Sequence, residues 1–263
     1  MKRISTCVLA LAVMAAIAAT GLGIGLTLAA TPSGGTYEPI APAADLVKLQ
    51  SEHVAELQKL AAKEPEKRRT WSTIRNHAWI VAETANLLTL QKDKSGDLPK
   101  QAGAVAKAAT ALGMAAKKKE YAGVPEQLKA VVTGSEAIGK LVKSGEIKPT
   151  PSSVLKPVAP LEEYMEVNQA CYDRVVELTD AGSLDDKAYA EITHRGWLLA
   201  ESGNLLLLAE ENAEKKDWQG WSMEMRKLGR RLVDEAGKKD AAAIKMTIKA
   251  VDANCIACHD EYQ

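Results

Sequence analysis

Trp79-Ile80-Val81-Ala82-Glu83-Thr84-Ala85-Asn86-Leu87-Leu88 returns 118 residues later as Trp197-Leu198-Leu199-Ala200-Glu201-Ser202-Gly203-Asn204-Leu205-Leu206. A match of that length in one register reads as an internal duplication. Further along, a shift of 120 lays Lys118-Lys119-Glu120 on Lys238-Lys239-Asp240, and Lys129-Ala130-Val131 on Lys249-Ala250-Val251. The chain thus reads as two related bodies of about 100 residues, each long enough for one hydrophobic core.

Phe is absent. Ala, Leu, Lys and Glu dominate, a composition that suits helices and leaves little expectation of sheet. Apolar periodicity and breakers divide the first copy into helices near 45–63, 67–93, 98–118 and 124–143, with breaks at Pro65, Ser95-Gly96 and Gly123. The second divides near 161–180, 185–214, 217–236 and 240–260, with breaks at Gly182-Ser183, Lys215-Lys216 and Gly237. Asp185, Asp217 and Asp240 stand near helix starts, where a carboxylate caps free N–H groups. Four helices with short connections pack up-down-up-down. The expected fold is therefore all-α: two tandem antiparallel four-helix bundles at 45–143 and 161–263.

Outside the copies the character changes. Residues 4–30 carry no charge after Met1-Lys2-Arg3 and read as an export signal ending in small residues, or as an uncleaved membrane anchor; Cys7 belongs to that segment. Residues 31–44 hold Pro32, Gly34, Gly35, Pro39 and Pro42 and read as a tether. Residues 144–160 hold Pro149, Pro151, Pro157 and Pro160 and read as an extended linker. Lys plus Arg equals Asp plus Glu at 34 each, so nothing in the net charge favours nucleic acid as a partner.

Near the C-terminus stands Cys255-Ile256-Ala257-Cys258-His259. Two thiols three residues apart with an imidazole directly after them are what covalent haem requires: each sulfur takes one vinyl group and the histidine reaches the iron. The other readings of a Cys-x-x-Cys are half a zinc site, which needs a second ligand pair that the chain lacks, and a redox dithiol, which belongs at a helix start after a strand. In the first copy the same positions are Ser135, Ile138 and Gly139. One haem c is expected, in the second copy.

Ile244, Ile248, Val251, Cys255 and Cys258 recur at steps of four and three, which places the cysteines on the core face of the last helix. In an antiparallel bundle the start of helix one lies at the same end. Leu161, Met165, Asn168, Tyr172 and Val175 keep the same stepping and turn Met165 inward, as a distal iron ligand or as packing. His194 reads as a solvated residue, and His53 and His77 belong to the copy without thiols. Cys171 reads as a buried free thiol. Lys227, Arg230 and Arg231 read as a basic helix face, open to propionates or an acidic partner. Trp197, Trp218 and Trp221 read as core or cofactor-edge packing.

With Cys255-Ile-Ala-Cys258-His259-Asp260-Glu261-Tyr262 closing the fourth helix of an exported bundle, the second copy resembles the class II c-type cytochromes, the cytochrome c-prime family. The resemblance implies haem held by Cys255 and Cys258, His259 as proximal ligand, and a site in the periplasm or outside the cytoplasmic membrane. It also implies a six-coordinate carrier when helix one supplies a methionine, and a five-coordinate protein binding nitric oxide or carbon monoxide when it does not. The expected function is electron transfer by a non-enzymatic monohaem cytochrome. The alternatives are a gas-binding sensor or scavenger, and a module that docks a redox partner around a structural haem. Expected partners are a redox protein or a membrane electron donor. Anchoring through residues 4–30 and a homodimer are both compatible with these expectations.

Overall fold

A computed structural model describes residues 37–152, 155–208, 212 and 214–262. The signal or anchor expected at 1–30, Cys7 included, lies outside them. Within them the chain is all-helical but for one two-residue strand pair. The helices are α1 (Ala43–Leu60), α2 (Arg68–Leu88), α3 (Asp97–Lys118) and α4 (Val124–Ser144), then α5 (Leu161–Asp180), α6 (Asp186–Leu206), α7 (Lys216–Gly237) and α8 (Ala241–Tyr262). No helix among the described residues is long and apolar enough to cross a membrane.

The helix ends have local causes. Asp185 caps α6 by accepting from Ala188 N at 2.8 Å, and Asp240 does the same for α8 through Ala243 N at 3.0 Å. Asp217 falls inside the first turn of α7, where its charge meets the dipole without capping. The second helix stops at Leu88 rather than near 93. Gln91–Lys92 leaves it as β1 and pairs antiparallel with Lys148–Pro149, β2. The sixth stops at Leu206, not near 214.

Packing closes two cycles of neighbours. In the first, α1 lies against α2 and α4, and α3 fills the space between α2 and α4; in the second, α5 lies against α6 and α8, with α7 between α6 and α8. The buried positions repeat from one cycle to the other. Leu98, Ala102, Val105, Ala109, Leu112 and Ala116 of α3 match Trp218, Ser222, Met225, Gly229, Leu232 and Ala236 of α7, always 120 apart. The two cycles join in one compact unit through α1 on α6 and α2 on α5.

The proline-rich segments take part in this join. Glu201 of α6 accepts N–H bonds from Ile40 at 2.8 Å and Ala41 at 2.7 Å, and takes the Tyr37 hydroxyl; Asn204 donates to Glu38 O at 2.8 Å. Glu83 of α2 accepts from Val158 at 2.9 Å and Ala159 at 2.8 Å, while Asn86 donates to Lys156 O at 2.9 Å. All these positions are related by 118, so each half is strapped by the segment that precedes the other. Residues 155–159 form neither helix nor strand, as a proline-rich stretch should, but they are docked along α2. The straps also meet each other, Tyr37 and Ser152 exchanging backbone hydrogen bonds.

Candidate functional site

Three glycines set the frame of the second half. A Cβ on Gly203 of α6 would run into Ser222 O and Arg226 N of α7, and one on Gly229 would run into Ala200 N. At Gly196 the obstacle would be Gly229 O at 2.9 Å. Only glycine permits so close an approach of two helix backbones. Their counterparts in the first half are Ala78, Ala85 and Ala109. With α7 drawn onto α6, α8 buries only Ile244, Thr247, Ile248 and Val251. Its last three turns form one wall of a pocket.

That pocket is mostly apolar. Cys255, Cys258 and His259 line it from α8, Met165 and Asn168 from α5, and Trp218, Trp221 and Met225 from α7. Cys255, Cys258, His259 and Met165 thus border one space. Trp218 donates its indole N–H to Leu206 O at 2.7 Å, Asn254 donates to Trp221 O at 3.1 Å, and Tyr262 sets its ring edge-on to both indoles. Ser202 donates its hydroxyl to Asn168 Oδ1, which leaves the Asn168 amide N–H groups as donors beside Met165.

The thiols are free, and burial raises both above the ordinary thiol range, Cys255 to about 11 with Cys258 and Asp252 adding to it. A redox dithiol needs the opposite shift and a helix start; these cysteines sit inside the last turns of α8. Among the described residues no group of three or more His, Cys, Asp or Glu side chains could hold a metal ion. A haem iron asks less of the protein, because the porphyrin supplies four of its ligands. Two thiols on successive turns, the adjoining imidazole and an apolar wall opposite fit that group.

Met225 escaped the sequence reading, which looked for a thioether only on the first helix. The first half ranks the two methionines. Val47, the counterpart of Met165, stands 3.8 Å from where a Cβ on Gly139, the counterpart of His259, would lie. Val105, the counterpart of Met225, presses on Gly134, the counterpart of Asn254. Met165 therefore matches the position across from the imidazole, and Met225 a position more than one turn away.

The remaining histidines lie elsewhere. His194 is buried, not solvated as expected, and pairs with Glu52 at 3.0 Å. His53 and His77 border a cleft of ≈ 900 Å³ walled by α1, α2, α5 and α6. Arg195 has only donors, so His53 Nε2 accepts from it at 2.7 Å; the proton of His53 then sits on Nδ1 and goes to His77 Nδ1. Burial, Arg195 and the neighbouring imidazole hold His53 well below its ordinary value, and burial lowers His77 to about 4. Cys171 is fully buried, its thiol raised by burial. Lys227 pairs with Glu224 and Arg231 with Glu235, both within α7. Trp197 packs on the core away from the pocket.

No family model, curated protein or solved structure matches the chain.

Proposed function

We propose that the chain is an exported, non-enzymatic electron carrier with one haem c, built as two tandem antiparallel four-helix bundles of which only the second holds the cofactor. The observation that carries this reading is the convergence of Cys255, Cys258, His259 and Met165 on one apolar pocket. When bound, the haem supplies an iron that passes between ferric and ferrous states. Cys255 and Cys258 hold it covalently, and His259 donates an imidazole nitrogen to the iron. Met165 donates its thioether from α5, which favours a raised potential. Trp218, Trp221 and Tyr262 keep water from one edge, and the exposure of Ile256 leaves the outer face of α8 open for a redox protein or a membrane donor.

The Met165 thioether in the pocket favours six-coordinate iron over an open gas-binding site. The test is the full chain expressed in a host that attaches haem in the periplasm. The expected product carries one haem that survives denaturation and gives a low-spin spectrum with a thioether-to-iron charge-transfer band, lost in Met165→Ala and kept in Met225→Ala. Absence of covalent haem would refute the reading. A high-spin ferric form that binds carbon monoxide on reduction would replace the carrier with the gas-binding alternative.

A further inference from the structure

The haem-less half grips the helix that carries Met165. Glu163, 1 % exposed, has its Oε1 2.7 Å from Lys117 Nζ of α3 and its Oε2 3.2 Å from Arg75 Nε of α2. Arg75 also pairs with Glu166, and Lys117 lies 3.7 Å from Glu162. The Glu163 carboxylate is buried, so little water screens its pairs with Lys117 and Arg75, and Arg75 also donates a hydrogen bond to Glu166. At about 100° per residue, Glu163 and Glu166 share one face of α5 and Met165 lies on the opposite one. Among the described residues the first turn of α5 shows no other ion pair, and it follows Pro160 without a side-chain cap. The related turn of α1 lacks the grip, since Asp45, the counterpart of Glu163, pairs with the exposed Lys48 of its own helix.

We infer that Arg75 and Lys117 are positioning residues that hold the first two turns of α5 so that Met165 stays across the pocket from His259. The inference rests on the haem reading and gives the haem-less half a role in it. Releasing the grip lets the start of α5 fray and frees the sixth position for part of the time. An added ligand then binds more tightly, in proportion to the open fraction.

The test uses the full haem-loaded chain and imidazole as the added ligand. Arg75→Gln should raise the affinity of the ferric protein for imidazole about tenfold and weaken the charge-transfer band. Arg75→Lys should recover most of both. Lys117→Gln, a milder change at a half-exposed side chain, should act in the same direction and serves if Arg75→Gln does not fold. Amide exchange at residues 161–166 should quicken in the same variants. Arg174→Gln, which breaks pairs with Glu177 of α5 and Glu191 of α6, should leave the imidazole affinity unchanged. Equal effects from Arg174→Gln and Arg75→Gln, or no effect from Arg75→Gln and Lys117→Gln while Met165→Ala alters the spectrum, would overturn the positioning role alone. An unaltered spectrum in Met165→Ala would remove the ligation and this inference together.

Discussion

Val47 and Gly139 are neighbours in the first half, 3.8 Å separating the valine Cγ1 from the point a glycine Cβ would occupy. Beside them the space has closed: a Cβ on Gly134 would collide with Val105 Cγ2. Gly134→Ala should therefore destabilise the protein by about 1–3 kcal/mol through overpacking. Val105→Ala in the same chain should make that substitution far better tolerated, a coupling read from a double-mutant cycle of urea unfolding.

In the second half the crowding is between backbones and cannot be relieved by trimming a side chain. Gly203→Ala would meet Ser222 O and Arg226 N, so α7 must move away from α6. A loss of about 3 kcal/mol or more is expected and, under the proposed haem function, weaker haem retention, because Ser222, Trp218 and Trp221 belong to the pocket wall. Unfolding midpoints and haem content measure the two effects.

Burial raises Glu83 from its ordinary 4.5 to about 7, against the opposing N–H bonds from Ala159 and Val158 and the amide of Asn86. The folded state then holds this proton more tightly than the unfolded state does. Its stabilising effect is full below pH 4.5 and is lost as pH rises through 7, a fall of about 3 kcal/mol at most. Glu83→Gln keeps an oxygen for the two N–H groups and has no such fall. Relative to the parent, it should gain stability between pH 5 and pH 8, as measured by urea unfolding at both.

His77 works in the other direction. Its folded value near 4 lies below the ordinary 6.5, so the unfolded chain takes up the proton first. The stability it contributes is present above pH 6.5 and is lost as pH falls through 4, by about 3 kcal/mol at most. His77→Gln still offers an oxygen to the His53 N–H and should flatten that part of the acid-unfolding curve. An unchanged curve would show that the imidazole is not buried in its neutral form.

The helices, the duplication and the pocket lining were legible because each is local or periodic. Ile244, Ile248, Val251 and Cys255 mark their face by spacing alone, and one end of a bundle collects the end of its fourth helix and the start of its first. Met225 was hidden for the same reason, since its counterpart Val105 is an ordinary core residue. The burial of His194 and the Arg195–His53–His77 chain depend on how two halves meet, which no periodicity records. The straps were read as free because proline breaks helices, yet Pro39-Ile40-Ala41-Pro42 and Pro157-Val158-Ala159-Pro160 already kept the 118-residue spacing. What spacing could not supply was the partner: carboxylates more than 70 residues away.

The exchanged straps also fix an order of events during synthesis. When α1 to α4 have left the ribosome, Glu83 still lacks its N–H donors, because Val158 and Ala159 come later; residues 37–41 meanwhile wait for Glu201. Within its own half each buried carboxylate finds one side-chain amide, Asn86 for Glu83 and Asn204 for Glu201, and its backbone N–H donors come from the segment that precedes the other half. Closure therefore comes late and once for both, so a nascent chain that stops at residue 150 leaves α2 with an open groove and a carboxylate to desolvate. Each half is completed by the segment that precedes the other, so neither is finished until both have been made.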